Sequence, residues 1–476
     1  MGIAVDADGD VYVAGLTTIP NGASGILLKY DTGGNLLWQA IYDGGNGGDY
    51  FSPVAVDADG NIVVAGATLT SDHGVDYLLA KYDPAGALIW ARSANGPGDG
   101  DDYSTGMAVD SAGNIYVVGQ QTAASGTDVA LVKYNSSGDL QWTRTENGSQ
   151  AGSADFGGGV AVAAAGNVFF TANLANADTG MDLATTAVDA SNSPLWQQIF
   201  NGAGGNGSDL TPEASWAMAN NPAPHIRSVA VGPDDSVYVI GQTQNTTADP
   251  FNGVTFKYDA TGTRLWTVVF GGEGQASGLN GIVVDTTGTA FVTGGLANVA
   301  SHAEYLTTMI SADGEVLDQQ SFTSSADADA GAAAIALDPD GDPVVTGNSA
   351  DNIYTVKYCL GCVIDNVCYP DGTIPEGEPC LICKVSVSQT AWSNNDGAAC
   401  DDGLFCNGAD TCGGGACSQH AGDPCNADQT CDETNDACAA SGDDDATDDD
   451  ATDDDATDDD AAGDDSGGGD NGGCGC

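Results

Sequence analysis

Positive charge is scarce in this sequence. Its 476 residues hold 10 Lys and Arg against 68 Asp and Glu, a formal net charge of −58, with only 4 His. Such a chain is not built to grip nucleic-acid phosphates or an anionic membrane, so no nucleic-acid partner is expected. No stretch reaches the roughly 18 apolar residues of a membrane-spanning helix, so no direct membrane insertion is expected. No basic start followed by an apolar run reads as a signal peptide. Cysteine is missing up to residue 358, and all 14 Cys stand at Cys359 or beyond. Motifs of catalysis are missing as well: there is no Gly-x-Ser-x-Gly, His-Glu-x-x-His or P-loop. His73, His225, His302 and His420 do not stand at metal-ligand spacing. Gly202-x-Gly204-x-x-Gly207 has the letters of a dinucleotide fingerprint, but the following Ser208-Asp-Leu-Thr-Pro212 does not open a helix. What is plentiful is Gly and Asp, 68 and 60 residues, poor helix formers and good turn formers.

Charge and cysteine divide the chain into three expected domains: 1–358, 359–440 and 441–476. The first repeats internally. Trp38, Trp90, Trp142, Trp196 and Trp266 are spaced by 52, 52, 54 and 70 residues. Lys-Tyr stands nine residues before four of them, at Lys29, Lys81, Lys133 and Lys257, and recurs at Lys357-Tyr358 without a Trp. A second block, apolar-Ala-Val-Asp-x-x-Gly-Asn/Asp, runs from Ile3, Val54, Met107, Ile282 and Ile335, with weaker copies from Val160 and Val229. That makes seven units. Each reads as four short strands joined by Gly-containing turns, in the first unit Ile3–Val5, Asp10–Gly15, Ile26–Tyr30 and Asn35–Trp38. Four strands about every 50 residues mark a propeller blade rather than a solenoid coil.

Ile-Ala-Val-Asp-x-x-Gly-Asn-x-Tyr-Val-x-Gly with Lys-Tyr-Asp-x-x-Gly-x-Leu-x-Trp resembles the SBBP bacterial β-propeller repeats. The resemblance covers residues 2–358 and weakens in the fourth and sixth units, where Ala187-Val188 and Met309-Ile310 replace Lys-Tyr. It implies an all-β, seven-bladed β-propeller and an exported protein, without a defined activity. The seventh unit stops at Tyr358, before its fourth strand, so the last blade is expected to be incomplete. Met1 is expected to be a truncated or misassigned start, with a closing strand and a signal peptide upstream.

Residues 359–440 carry Cys359, Cys362, Cys368, Cys380, Cys383, Cys400, Cys406, Cys412, Cys417, Cys425, Cys431 and Cys438 among few apolar residues. Twelve suits six disulfides, whose pairing spacing alone does not give, and implies an oxidising compartment. The rival is zinc on Cys359, Cys362, Cys380 and Cys383, whose spacing fits a zinc ribbon but whose surroundings do not. Residues 400–412 look like Cys-rich modules of bacterial surface proteins, which suggests a stalk. Residues 441–476 form an Asp/Gly-rich tail, four Asp triplets spaced by Ala-Thr, expected to be disordered. Its end, with Cys474 and Cys476 as possible anchor residues, resembles the start of a C-terminal sorting signal.

Candidate sites are few. Asp6, Asp8 and Asp10, Asp57 and Asp59, and Asp338, Asp340 and Asp342 could hold calcium, although hairpin turns demand Asp and Gly at the same places. Asp49, Asp102 and Asp155 precede first strands and suit hydrogen bonding to loop backbone. An excess of about 18 residues near 207–227 brings Glu213, Trp216 and His225, candidates for a binding loop. The expected function is a non-catalytic exported or cell-surface propeller, monomeric, that binds a protein or glycan or serves as a scaffold. No cofactor is expected. The alternatives are a quinoprotein-like periplasmic dehydrogenase, whose group has eight blades, and a purely structural spacer.

Overall fold

The computed structural model describes residues 2–20, 22–124, 126–201, 209–210, 227–244, 251–270, 277–297, 303–322, 330–349, 352–365 and 367–440. Two compact units divide the chain. One holds Met1–Thr373 and Cys383–Ala391, the other Ile374–Ile382 and Trp392–Cys476.

The first unit is all-β. Seven antiparallel sheets follow in chain order, over residues 2–42, 50–94, 103–146, 156–200, 229–270, 277–322 and 330–357. Blade 2 is representative, with strands Tyr50–Val56, Ile62–Thr70, Gly74–Tyr82 and Leu88–Ala94 paired in sequence. The strands are longer than the sequence predicts. In blade 1 the second and third run over Val11–Ile19 and Gly22–Tyr30.

The turns explain the Asp-x-x-Gly spacing. In blade 1 the Gly9 amide donates to the Asp6 carbonyl at 3.1 Å, and the Asp6 amide donates to the Asp10 carbonyl at 3.0 Å. The Asp6 carboxylate accepts the amides of Asp8 and Asp10, at 3.1 and 2.9 Å. Gly9 adopts φ +83°, a conformation that side chains other than Gly, Asn and Asp rarely accept. The same turn closes the third and fourth strands at Asp31 and Gly34.

The nine-residue spacing from Lys-Tyr to Trp is a pairing register: Lys29 lies opposite Trp38, Lys81 opposite Trp90, Lys133 opposite Trp142 and Lys257 opposite Trp266. The cores lie between blades. Tyr12, Ala14 and Leu27 of blade 1 pack with Phe51, Ile62, Leu78 and Tyr82 of blade 2. Each such fully buried large side chain contributes about 1.5–3 kcal/mol. Trp38 caps this core and donates its indole N–H to the Pro84 carbonyl of the next blade at 3.2 Å.

The seventh blade has three strands, Ala330–Leu337, Pro343–Ser349 and Asn352–Lys357. The incomplete last blade is as the sequence indicates. The ring nevertheless closes by packing, because Ile3 of blade 1 joins Ala334, Ala336 and Val344 of blade 7 in one small core.

Six disulfides follow the propeller. Cys359–Cys368 and Cys362–Cys383 lie in the first unit, and Cys380–Cys412, Cys400–Cys417, Cys406–Cys431 and Cys425–Cys438 in the second. The second unit has little apolar interior, and its small sheets, such as Gln429–Asp432 with Ala437–Ala440, are too short to hold alone. Cross-links worth about 2–4 kcal/mol each take the place of a core. No helix among the described residues is long and apolar enough to cross a membrane.

Candidate functional site

The first strands of all seven blades surround a central channel. A cavity of about 430 Å³ is lined by Ala4 and Val5, Ala55 and Val56, Met107 to Val109, Val160 to Val162, Val229 to Val231, Val283 and Val284, and Ala336 and Leu337. The lining is small and aliphatic because these strands converge on the axis, where large residues do not fit.

One residue breaks the pattern. Arg227 stands just ahead of the first strand of blade 5 and also lines the channel. Its backbone is fixed by the Ile282 amide, which donates to the Arg227 carbonyl at 3.0 Å. The side chain is half-buried, yet so closely surrounded by protein that burial lowers its guanidinium below the ordinary arginine range. No acidic residue among the described ones forms an ion pair with it. Composition hid this residue, since a single Arg in an acidic chain gives no local pattern.

The turns after the first strands carry the candidate calcium ligands, and the structure gives them lysine partners. Lys29 reaches Asp10 at 2.9 Å and Asp6 at 3.5 Å. Lys81 reaches Asp57 at 2.7 Å, and Lys357 reaches Asp338 at 2.5 Å and Asp342 at 3.6 Å. The Lys29, Lys133 and Lys257 ammonium groups also sit 5.0, 5.0 and 4.9 Å from the ring centres of Tyr12, Tyr116 and Tyr238. Burial works against the Lys29 charge, but hydrogen bonds to Tyr12 and Asp10 outweigh it and raise its pKa. Burial would likewise raise the Asp57 carboxyl, yet Lys81, Asn61 and a backbone amide hold it below its ordinary value. Asp8, Asp59 and Asp340 are exposed and do not converge with these pairs.

Asp49, Asp102 and Asp155 are buried, and they bind loop backbone. Asp102 accepts the Gly96 and Thr122 amides, and Asp155 accepts those of Ala175 and Gly148 at 2.7 and 3.1 Å. Burial, only partly offset by these bonds, raises both carboxyls. Asp209 repeats the position in blade 5, with its carboxylate accepting the Thr243 hydroxyl at 2.7 Å.

Glu213, Trp216 and His225 lie outside the described residues, as do Cys474 and Cys476. Cys359, Cys362, Cys380 and Cys383 are spread over three disulfides, so none offers a thiolate to zinc in this state. A cluster in the second unit has no signal in the sequence. His420 Nδ1 lies 2.8 Å from Asp410 and 3.7 Å from Asp402, on neighbouring strands and turns that spacing does not reveal. The hydrogen bond from His420 lowers the Asp410 pKa.

Comparison with known families bears out the repeat. Residues 89–120 match the SBBP beta-propeller repeat, and residues 113–140 match a beta-propeller domain of unknown function, DUF5122. No curated protein matches by sequence. Similar solved structures include an ulvan lyase of polysaccharide lyase family PL25, at 10% identity, with 75% of this chain and 93% of that one covered and a TM-score of 0.49. A gluconolactonase from Xanthomonas campestris is 14% identical, covering 74% and 96%, with a TM-score of 0.37. The beta-propeller domain of the Trilobed protease from Pyrococcus furiosus, described as having an open velcro topology, is 7% identical, covering 74% and 94%, with a TM-score of 0.42. These likenesses concern the fold alone. They correct the expectation of a non-catalytic protein, because enzymes stand among the similar propellers and the lack of a familiar catalytic motif does not argue against catalysis.

Proposed function

We propose that this chain is an exported binding propeller that holds a carboxylate-bearing ligand at its central channel, with Arg227 as the anion anchor. The observation that carries this reading is Arg227 itself, a closely surrounded cation on an otherwise aliphatic channel wall with no acidic partner among the described residues. A guanidinium offers a planar fork of donors to a carboxylate, and partial burial strengthens the pairing. The overall charge of −58 opposes an incoming anion, but at physiological salt this repulsion is screened beyond about 8 Å. Six disulfides suit an oxidising environment outside the cytoplasm, and the Cys-rich region would serve as the stalk of a cell-surface module. The quinoprotein alternative is not favoured, since that group has eight blades and the described residues form seven blade sheets.

The test is calorimetric titration with a carboxylate-bearing oligosaccharide, an oligogalacturonate, against its neutral methyl ester. The free acid should bind and the ester should not. Arg227→Gln should weaken binding by at least about 10-fold, the effect of losing one charge-assisted hydrogen bond. Equal binding of acid and ester, or an unchanged variant, would overturn the assignment.

A further inference from the structure

The interface between blades 7 and 1 is built like the others but lacks one part. In blades 1 to 5 the fourth strand lays a Trp against the turn of the next blade, whereas blade 6 has Asp318 at that register. Trp38 covers Gly86, Trp90 covers Gly138, Trp196 covers Gly262 and Trp266 covers Gly314, each with ring atoms 2.7–3.2 Å from where a Cβ on that glycine would stand. The indole N–H then donates to the carbonyl two residues earlier: Trp38 to Pro84 at 3.2 Å, Trp196 to Ala260 at 3.0 Å and Trp266 to Ala312 at 3.0 Å. Gly34 is the equivalent glycine of blade 1, in the same left-handed conformation at φ +78°, and no described residue lies within 4 Å of its Cβ position.

The wall beside it is uncovered too. Ile26, Leu28 and Tyr30 of blade 1 are half-exposed, whereas their counterparts Leu78, Ala80 and Tyr82 of blade 2 and Val254, Phe256 and Tyr258 of blade 5 are buried. A cavity of about 760 Å³ occupies this place, bounded by Val13, Leu28, Tyr30 and Gly34 on one side and by Thr355 and Lys357 on the other. Asn352–Lys357 is the outer strand of blade 7 and pairs only with Pro343–Ser349 among the described strands.

We infer that this groove is a docking site for an extended, Trp-bearing strand with the chemistry of the chain's own fourth strands. The occupant pairs antiparallel with Asn352–Lys357, its Trp opposite Lys357, as Trp38 stands opposite Lys29. Its indole lies over Gly34 and donates to the Thr32 carbonyl, which accepts no hydrogen bond among the described residues. An aromatic residue four positions after the Trp falls opposite Ile353, as Tyr42 falls opposite Gly25 and Phe270 opposite Gly253. Main-chain pairing at an open edge supplies affinity, and the Trp slot supplies selectivity.

The probe is a synthetic peptide with the sequence of Gly34–Tyr42, Gly-Asn-Leu-Leu-Trp-Gln-Ala-Ile-Tyr, titrated into the full chain. It should bind with a blue shift of its Trp fluorescence and slow amide exchange at Asn352–Lys357. The same peptide with Trp replaced by Ala should bind at least about 10-fold more weakly, as expected for an aromatic anchor in a pocket. Leu28→Glu in the protein should weaken binding similarly while leaving thermal unfolding close to that of the parent, since Leu28 is not fully buried. Three results would each overturn the inference: no binding, equal binding of the Ala peptide, or protection elsewhere in the ring. Self-association of the chain that the peptide does not compete away would make the edge an interface between copies instead.

Discussion

Asp57 and Lys81 meet at 2.7 Å with side chains only 3% and 9% exposed, so neither charge has water to fall back on. Lys81→Met leaves the carboxylate buried without its counter-charge, and about 3 kcal/mol of stability should be lost in urea unfolding. The pH dependence follows from the direction of the shift. The Asp57 pKa is lowered in the fold, so the pair's contribution is complete above the ordinary Asp value of 3.8 and is lost as pH falls through the lower folded value. Asp102 behaves oppositely. Its pKa is raised by burial, so the native state takes up a proton more readily than the unfolded chain, and wild type should gain stability relative to Asp102→Asn as pH falls from neutral towards 3.8. Unfolding both proteins between pH 7 and 3.5 separates the two slopes. At this scale the sequence was only partly legible. The nine-residue spacing of Lys-Tyr and Trp is a register and can be read along the chain. The contacts of Lys29, Lys81 and Lys357 with the turn Asp of their own blades join the third strand to the turn after the first, which spacing does not show.

Elements of one type differ where a bulge intervenes. In blade 2 the register of the first strand slips between Phe51 and Val54, which brings its backbone onto Gly66. A Cβ there would stand 1.9 Å from the Tyr50 carbonyl oxygen, and Gly119, Gly294 and Gly347 repeat the close approach at 2.1, 2.0 and 2.2 Å. Gly15 has the same place in blade 1, but among the described residues its Cβ would meet only Ile26 Cγ2 at 3.9 Å. Gly66→Ala should therefore lower the unfolding free energy from denaturant titration by more than about 2 kcal/mol or prevent folding, while Gly15→Ala stays within about 1 kcal/mol. The final Gly of the Tyr-Val-x-Gly motif is visible in the sequence, but its cause, a bulge on the neighbouring strand, is not. In blade 4 Asn192 takes, at φ +71°, the turn position held by Gly34, Gly86, Gly138, Gly262 and Gly314, and that unit, weakened in sequence by Ala187-Val188, still forms a complete sheet.

For the whole molecule, the seven repeats, the all-β class and the incomplete last blade were readable because each blade writes its turns and strand periods locally. The six cross-links were readable as a number but not as a pairing, because spacing does not say which Cys faces which. The channel cation was not readable, because seven strands distant in sequence must converge before Arg227 has a site. A closed seven-bladed ring forms although its last blade has three strands. Amide hydrogen exchange on the intact chain tests it most directly. Ala330–Leu337 and Val11–Ile19, on either side of the closure, should be protected for times comparable to Tyr103–Val109 and Phe156–Val162 inside the ring, while Asn352–Lys357 exchanges fast. Rapid exchange throughout blades 1 and 7, with the interior blades still protected, would show a ring open at that seam and would contradict it.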